Sequence, residues 1–294
     1  MNVDSILFLV LGVIWGTNFL FMKEAVQVIS PLQVAWLRAS FGAVPILLFA
    51  FSRRSLAKAD LRNAHHFAAM SILSIVVPYV SFVKGTQYLQ SGAAGAISGI
   101  IPLMTAVAAA LFLPKDRLSA RKGLGLLLGL VGVAWVADVT RLFEASSSNA
   151  LHGTLCMLLG SAGYASGMVY AYKFITPLKL SPIALAGYQT AGAALLLAFI
   201  TPMKGVEAVA SVPASLAALA LGLGLLGTGI AFILYYRIIE RLGAITASSV
   251  FYIPPVVALA VGALVGKEGL SLSQCLGTAV ILLGVFLARN GAPA

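Results

Sequence analysis

The sequence alternates long apolar runs with short polar turns over its 294 residues. An α-helix needs about 20 mostly apolar residues to cross the hydrocarbon core of a bilayer. The pattern therefore predicts an all-α integral membrane protein with ten transmembrane helices. These are expected near residues 5–23, 31–52, 66–87, 91–113, 120–137, 151–173, 182–201, 213–237, 243–265 and 272–289.

The second half of the chain repeats the first. Shifted back by 152 positions, residues 243–288 align with residues 91–136 without a gap. Each copy has an apolar run with a proline inside it, a short turn with a lysine and an acid, and a second apolar run. A Ser-Pro pair at 30–31 recurs at 181–182, and in both places we expect serine to cap a helix and proline to begin it.

The repeat predicts two halves of five spans each. They are residues 1–138 and 151–294, joined by a polar, Ser-rich linker at 139–150. Because five is odd, the second half starts on the opposite side of the membrane if every run crosses it. The two repeats are then inverted and related by an axis in the membrane plane.

Basic residues predict the orientation, because cytoplasmic loops of membrane proteins are enriched in lysine and arginine. With the N-terminus in the cytoplasm, most basic residues fall on the cytoplasmic side. The other side then carries only Lys23, Lys84, Arg141, Lys204 and Lys267. We therefore expect both termini in the cytoplasm.

The composition agrees with a membrane location and argues against other classes. Charged residues make up 10% of the chain, against about 25% in soluble domains. The net charge of +10 is spread over short loops, so we expect anionic lipid headgroups, and not nucleic acid, as counter-ions. Cys156 and Cys275 both lie in apolar runs, where cysteine packs as a small hydrophobic side chain.

No pattern in the sequence indicates an enzyme, a cofactor or a metal site. The chain has neither a His-Glu-x-x-His motif nor a phosphate-binding Gly-rich loop. Its nine acidic residues fall at span ends or in loops, and so do its three histidines. We expect no catalysis and no cofactor.

Polar and aromatic residues inside the spans are the candidates for binding a solute. Arg38 should face a water-filled cavity or a partner, because a charge at a helix centre costs about 2.5–3.5 kcal/mol; we favour a binding or gating role. Lys84 can also extend outward to the membrane surface, and Asn18 can either line a cavity or join two helices. The expected substrate-binding residues are Trp15, Asn18, Arg38, Tyr79, Lys84, Tyr164, Tyr188, Gln189, Ser248 and Tyr252.

Prolines inside the spans are expected to act as hinges, because each removes a helix hydrogen bond. They are Pro78, Pro102, Pro254 and Pro255. Pro102 and Pro254 are equivalent in the two repeats, and inverted-repeat carriers bind solutes where broken helices meet near the midplane. Tyr235, nearer a span end, is expected at the membrane interface.

The repeat resembles that of the drug/metabolite transporter superfamily. Segments 101–133 and 253–285 are similar to its EamA-type repeat, as is Trp15-Gly16 in the first span. The first repeat departs slightly, with Pro114-Lys115-Asp116 where the second has the more usual Gly266-Lys267-Glu268. Bacterial exporters of amino acids and related metabolites are the nearest group. The resemblance implies a bacterial inner-membrane protein with a central cavity lined by eight helices, the fifth and tenth lying to the side.

Two functions are open from the sequence. One is a carrier that exports small organic solutes, with amino acids, including aromatic ones, as the expected class, by alternating access without obligatory proton movement. The other is a channel or a structural membrane protein, although no filter-like ring of residues is visible. The expected partners are the substrate and membrane lipid, with the protein a monomer or a weak homodimer.

Overall fold

A computed structural model describes residues 3–113, 120–136, 148–235, 237–238 and 249–289. Within these ranges the regular structure is entirely helical. The helices are α1 (Val3–Ala25), α2 (Pro31–Ser52), α3 (Ala64–Ser71), α4 (Val77–Tyr88), α5 (Ser91–Ser98), α6 (Ile101–Phe112), α7 (Ala120–Val136), α8 (Ser148–Tyr170), α9 (Pro182–Ile200), α10 (Pro213–Ala217), α11 (Ile253–Leu264) and α12 (Leu272–Arg289). Three segments have π-helical hydrogen bonding: Ile72–Val76 between α3 and α4, Ala171–Ile175 after α8, and Ala218–Ile230 after α10.

Several helices are long and apolar enough to cross a membrane. In the described ranges these are Ile6–Ala25, Pro31–Ser52, Asp60–Tyr88, Ser91–Phe112, Pro182–Ile200 and Pro213–Tyr235. Shorter apolar helices cover Gly123–Val136, Val250–Leu264 and Leu272–Leu287. The all-helical class and the six apolar spans named above are confirmed, whereas ten spans in inverted repeats stay a prediction.

The two predicted Ser-Pro helix starts differ in the structure. Ser30 Oγ accepts a hydrogen bond from the Gln33 backbone N–H (3.4 Å), and Gln33 Oε1 accepts one from the Ser30 N–H (2.9 Å). This reciprocal pair is a capping box. At the start of α9, the Ser181 side chain makes no capping hydrogen bond. Ala184 stands where α2 has Gln33, and alanine has no acceptor with which to close the box.

Pro102 and Pro254 both lie in the first turn of a helix that follows a break. α5 ends at Ser98, residues 99–100 form a turn, and Pro102 is the second residue of α6. Pro254 is likewise the second residue of α11, after a 3₁₀ turn. Proline fits such positions because the first backbone N–H groups of a helix have no intrahelical partner. Pro78 is the second residue of α4, directly after a π segment.

The two halves pack on each other through pairs of helices. Contacts between a helix of the first half and one of the second have counterparts made by the equivalent helices with the halves interchanged. α1 packs on α11 and α6 on α8, while Ala218–Ile230 packs on α2 and α3 on α9. Equivalent helices also pair, as α2 with α9 and α7 with α12, and α5 packs on α11. Glycines bring α7 and α12 together: a Cβ at Gly132 would lie 2.6 Å from the Gly277 carbonyl oxygen.

Candidate functional site

A cavity of about 690 Å³ lies between the two halves of the bundle. Small-molecule sites have volumes of about 300–1,000 Å³. Both halves supply its wall, through α1 to α6 and through α8, α9, α11 and the segment Ala218–Ile230. In the part of the chain that the structure describes, α7 and α12 contribute no lining residue. The last helix of each half therefore lies to the side of the cavity.

One end of the bundle, which we call the closed end, is made of residues 23–33, 88–92, 200–215 and 262–274. Glu268 there accepts hydrogen bonds from the backbone N–H groups of Ser91 (2.7 Å) and Gly92 (3.0 Å). The Gln33 amide donates to the carbonyls of Pro202 (2.7 Å) and Lys204 (3.0 Å). These bonds join the first half to the second, and no residue of the four segments lines the cavity.

The cavity extends to the opposite end, which we call the open end. Leu113, Tyr172 and Thr176 form part of its rim, and Tyr172 is 66% exposed. Met22 and Phe82, which line the cavity nearest the closed end, are only 1% and 4% exposed. A solute can thus reach the described cavity wall from the open end in this conformation.

Arg38 is the charged group of the described cavity wall, and it is 3% exposed. Its guanidinium carbon lies 3.8 Å from the centre of the Tyr79 ring, a cation–π contact. Nε donates to Thr228 Oγ1 (3.2 Å) and Nη1 lies 3.5 Å from Met22 Sδ. The Asn18 amide satisfies both its groups when its oxygen accepts from Arg38 Nη2 (3.2 Å) and its nitrogen donates to the Ile14 carbonyl (3.2 Å).

Thr228 joins this cluster to the π segment Ala218–Ile230. Its hydroxyl donates to the Leu223 carbonyl (2.9 Å), so the Tyr79 hydroxyl, 3.0 Å away, must donate to Thr228 Oγ1. The threonine oxygen then accepts from both Tyr79 and Arg38. These directed hydrogen bonds fix the guanidinium at the cavity wall.

No acidic side chain among the described residues lines the cavity. Glu24, Asp60, Glu207 and Glu268, whose side chains the structure describes, all lie outside its wall. The hydrogen bonds above use three of the five N–H groups of Arg38. Their partners are neutral, so the positive charge is solvated by dipoles and one aromatic face. Such a group attracts an anion that enters the cavity.

Aromatic rings surround the rest of the cavity. Trp15 stacks on Phe251 with 5.0 Å between ring centroids, and Tyr235 lies 5.3 Å from Trp15. Tyr164 lies 5.7 Å from Phe82, and all five side chains line the cavity. Ring faces and edges at these separations form an apolar wall suited to a flat or bulky hydrophobic group.

The structure brings together six of the ten predicted binding residues and one predicted hinge. Those that line the cavity are Trp15, Asn18, Arg38, Tyr79, Tyr164, Gln189 and Pro254. Lys84 lies outside it, with Nζ 5.3 Å from the centre of the Tyr88 ring. The Tyr188 hydroxyl instead donates to the Ala57 carbonyl (3.1 Å) and lies 3.3 Å from Asp60 Oδ2.

Other predicted residues are also absent from the described wall. Tyr252 packs at the edge of the large hydrophobic core. Pro78, Pro102 and Pro255 do not line the cavity, although a Cβ on Gly99, in the break between α5 and α6, would lie 2.9 Å from Pro255 Cγ. Ser248 falls outside the described residues.

Sequence reasoning missed three important residues. Tyr235 was expected at the membrane interface but lines the cavity, because the cavity continues to the open end of its helix. Phe251 belongs to no recognisable sequence motif, yet its ring stacks on Trp15. Thr228 is the one polar residue in the Gly-rich run 222–229. A single polar side chain in an otherwise apolar run could have identified it as a candidate for the cavity wall.

The EamA-like transporter family model matches the chain twice, over residues 4–137 and 151–289. The chain belongs to the EamA-like transporter family. The transporter is 30% identical over 284 residues to the uncharacterized inner membrane transporter YedA of Escherichia coli (strain K12), covering 96% of this chain and 89% of that protein. It is 26% identical over 277 residues to the uncharacterized transporter YoaV of Bacillus subtilis (strain 168), covering 93% of this chain and 92% of that protein.

The transporter also resembles a solved structure in fold. A protein of 18% sequence identity, known from a crystal structure, superposes with a TM-score of 0.62 over 98% of this chain and 97% of that one. At this identity the likeness shows the fold alone. Family membership and the apolar helices together establish a membrane transporter.

Proposed function

We propose that this EamA-like transporter is a carrier for small organic solutes that combine a carboxylate with an apolar or aromatic body, most favourably amino acids with aromatic or large apolar side chains. The observation that carries the proposal is Arg38, a buried cation whose hydrogen-bond partners at the cavity wall are neutral. A substrate carboxylate can take its remaining N–H groups in a charge-assisted contact. The ring cluster around Trp15 then holds the apolar body.

Transport by alternating access is supported by the two unequal ends of the cavity. A channel needs a continuous path, whereas here direct hydrogen bonds between the halves lie across the closed end. Helix pairs that recur when the halves are exchanged are what inverted repeats related by a two-fold axis would produce. If one half rocks on the other, the open end closes and the closed end opens. The solute in the cavity would then be carried across the membrane.

The charges of the two ends favour an orientation in which the open end faces the cytoplasm. Among the described residues, the segments of the closed end contain three basic side chains, whereas six lie at the open end: Arg53, Arg54, Arg62, Lys173, Lys179 and Arg237. By the positive-inside rule, the open end and both termini face the cytoplasm of a bacterial inner membrane. An impermeant thiol reagent should therefore label Lys204→Cys, but not Arg54→Cys, in intact cells. The reverse labelling would overturn this orientation.

We expect flux that saturates and that needs no proton movement, because no described acid lies in the cavity wall to carry a proton. In vesicles containing the purified protein, downhill uptake of labelled phenylalanine should saturate and persist when an ionophore collapses the pH gradient. An imposed proton gradient alone should not accumulate phenylalanine. Non-saturating flux would support a channel, and accumulation driven by the gradient would show proton coupling.

Tyr79 and Tyr252 provide a matched pair of tyrosines for testing the cavity wall. Tyr79→Ala removes the cation–π contact and one hydrogen bond to Thr228, so the initial rate of uptake should fall about tenfold. Tyr252→Ala, outside the described wall, should change the rate less than twofold. The measurement is the initial rate of phenylalanine uptake by each variant, in vesicles that contain equal amounts of folded protein. Equal losses in both variants would contradict the placement of the cavity.

A further inference from the structure

Glu268 makes an unusual contact between the two halves at the closed end. Its two carboxylate oxygens accept from the first two N–H groups of α5, at 2.7 Å from Ser91 and 3.0 Å from Gly92. The first N–H groups of a helix have no intrahelical partner and carry the positive end of the helix dipole. A carboxylate that takes two of them forms charge-assisted hydrogen bonds, which are stronger than bonds between neutral groups.

The loop after α11 is shaped to present this carboxylate. The Glu268 N–H donates to the Gly262 carbonyl (2.9 Å), and Lys267 has φ of +52°, in the left-handed region. Gly262 leaves room for the carboxylate, since a Cβ there would lie 2.6 Å from Glu268 Oε2 and 3.1 Å from the Gly92 nitrogen. The position of Glu268 is thus set by local backbone geometry and by one required glycine.

α5 connects this contact to the cavity. It begins at Ser91, beneath Glu268, and ends at Ser98, which lines the cavity and is 5% exposed. Along its length α5 packs on α11, the helix that leads into the Glu268 loop. If the halves separate at the closed end, α5 moves away from α11 and both hydrogen bonds to Glu268 break.

We propose that Glu268 is the latch of the closed end, holding the first half to the second whenever the cavity faces the open end. This inference rests on the proposed alternating access. The carboxylate stabilises one of two conformations, so its loss shifts the population towards the conformation that opens at the closed end. The latch controls access to the cavity and makes no contact with the substrate site.

The test measures from which side of the membrane a cavity residue can be labelled. Cys156 and Cys275 are replaced by serine and Ser98 by cysteine; the Ser98 hydroxyl bonds only to the Gly95 carbonyl of its own helix among described residues, so the change is mild. An impermeant maleimide is applied to right-side-out and inside-out membrane vesicles. In a separate variant, the exposed Lys204→Cys reports which preparation presents the closed end.

Glu268→Gln should raise the labelling rate of Ser98→Cys from the closed end about tenfold and should not raise the rate from the open end. Gly262→Ala, which displaces the carboxylate without removing its charge, should act in the same direction. Glu207→Gln removes an exposed carboxylate at the same end and should leave both rates unchanged. An unchanged rate from the closed end, or a rise from both ends that indicates general loosening, would overturn the latch.

These labelling rates need no substrate, so they separate the latch from the proposed function. Normal phenylalanine flux without any effect of Glu268→Gln on labelling would sink the latch alone. A shift of labelling by Glu268→Gln in a protein that moves no carboxylate-bearing solute would leave the latch standing and sink the proposed substrate class.

Discussion

Arg38→Gln should lower carboxylate-dependent uptake about 100-fold while the protein stays folded. A hydrogen bond to a charged group contributes about 1.5–3 kcal/mol, and each 1.4 kcal/mol is about a factor of ten in binding. The glutamine amide nitrogen stands where Arg38 has Nε, so it can still donate to Thr228, but the side chain has no charge to attract a carboxylate. The loss should therefore fall mainly on the KM for the substrate.

Two further variants make the Arg38 prediction specific. Arg38→Lys keeps the charge but loses the planar fork that bonds Asn18 and Thr228 at once, so an intermediate loss of about tenfold is expected. Arg62→Gln removes an exposed arginine and should leave uptake unchanged. Uptake in reconstituted vesicles is compared with the elution profile and melting temperature of each variant. A folded Arg38→Gln protein with the parent's KM would refute the carboxylate site.

Gly132→Ala should destabilise the fold by about 2–3 kcal/mol, a typical cost of overpacking a tight contact. The added Cβ would lie 2.6 Å from the Gly277 carbonyl oxygen and 2.8 Å from the Ile281 nitrogen. Both are backbone atoms of α12, so no side-chain rotation can relieve the contact and the two helices must move apart. The gain in helix propensity from glycine to alanine, about 1 kcal/mol, is smaller than this cost.

Gly123 is the matched control for Gly132, because it lies on the same helix α7 and, apart from its own stretch of helix, no described atom lies within 4 Å of a Cβ placed there. Gly123→Ala should leave the protein as stable as the parent or slightly more stable. Thermal unfolding of the purified proteins in detergent, followed by circular dichroism, compares them. Because α7 lies outside the described cavity wall, Gly132→Ala should keep its KM at temperatures where it is folded. Equal melting temperatures for the two variants would show that the crossing tolerates a side chain.

The sequence by itself determined the all-helical class, several of the membrane-spanning helices and the family. Apolar runs bounded by Pro31 and Ser52, or by Pro182 and Ile200, set the ends of α2 and α9, because a span must supply about 20 apolar residues and its ends must meet water. The internal repeat and the Gly-Lys-Glu turn carried the resemblance to EamA-type transporters, which the two family matches confirm. These features are linear in the chain, so no tertiary structure is needed to find them.

Only the tertiary structure decided which polar residues share a cavity. Arg38 and Lys84 are both basic residues inside predicted spans, yet Arg38 lines the cavity and Lys84 does not. A helix that is apolar all round gives no indication of which face meets its neighbours. Contacts such as Arg38 with Thr228, and Glu268 with Ser91, join residues far apart in the chain. They depend on how the two halves pack, which hydropathy along the sequence does not encode.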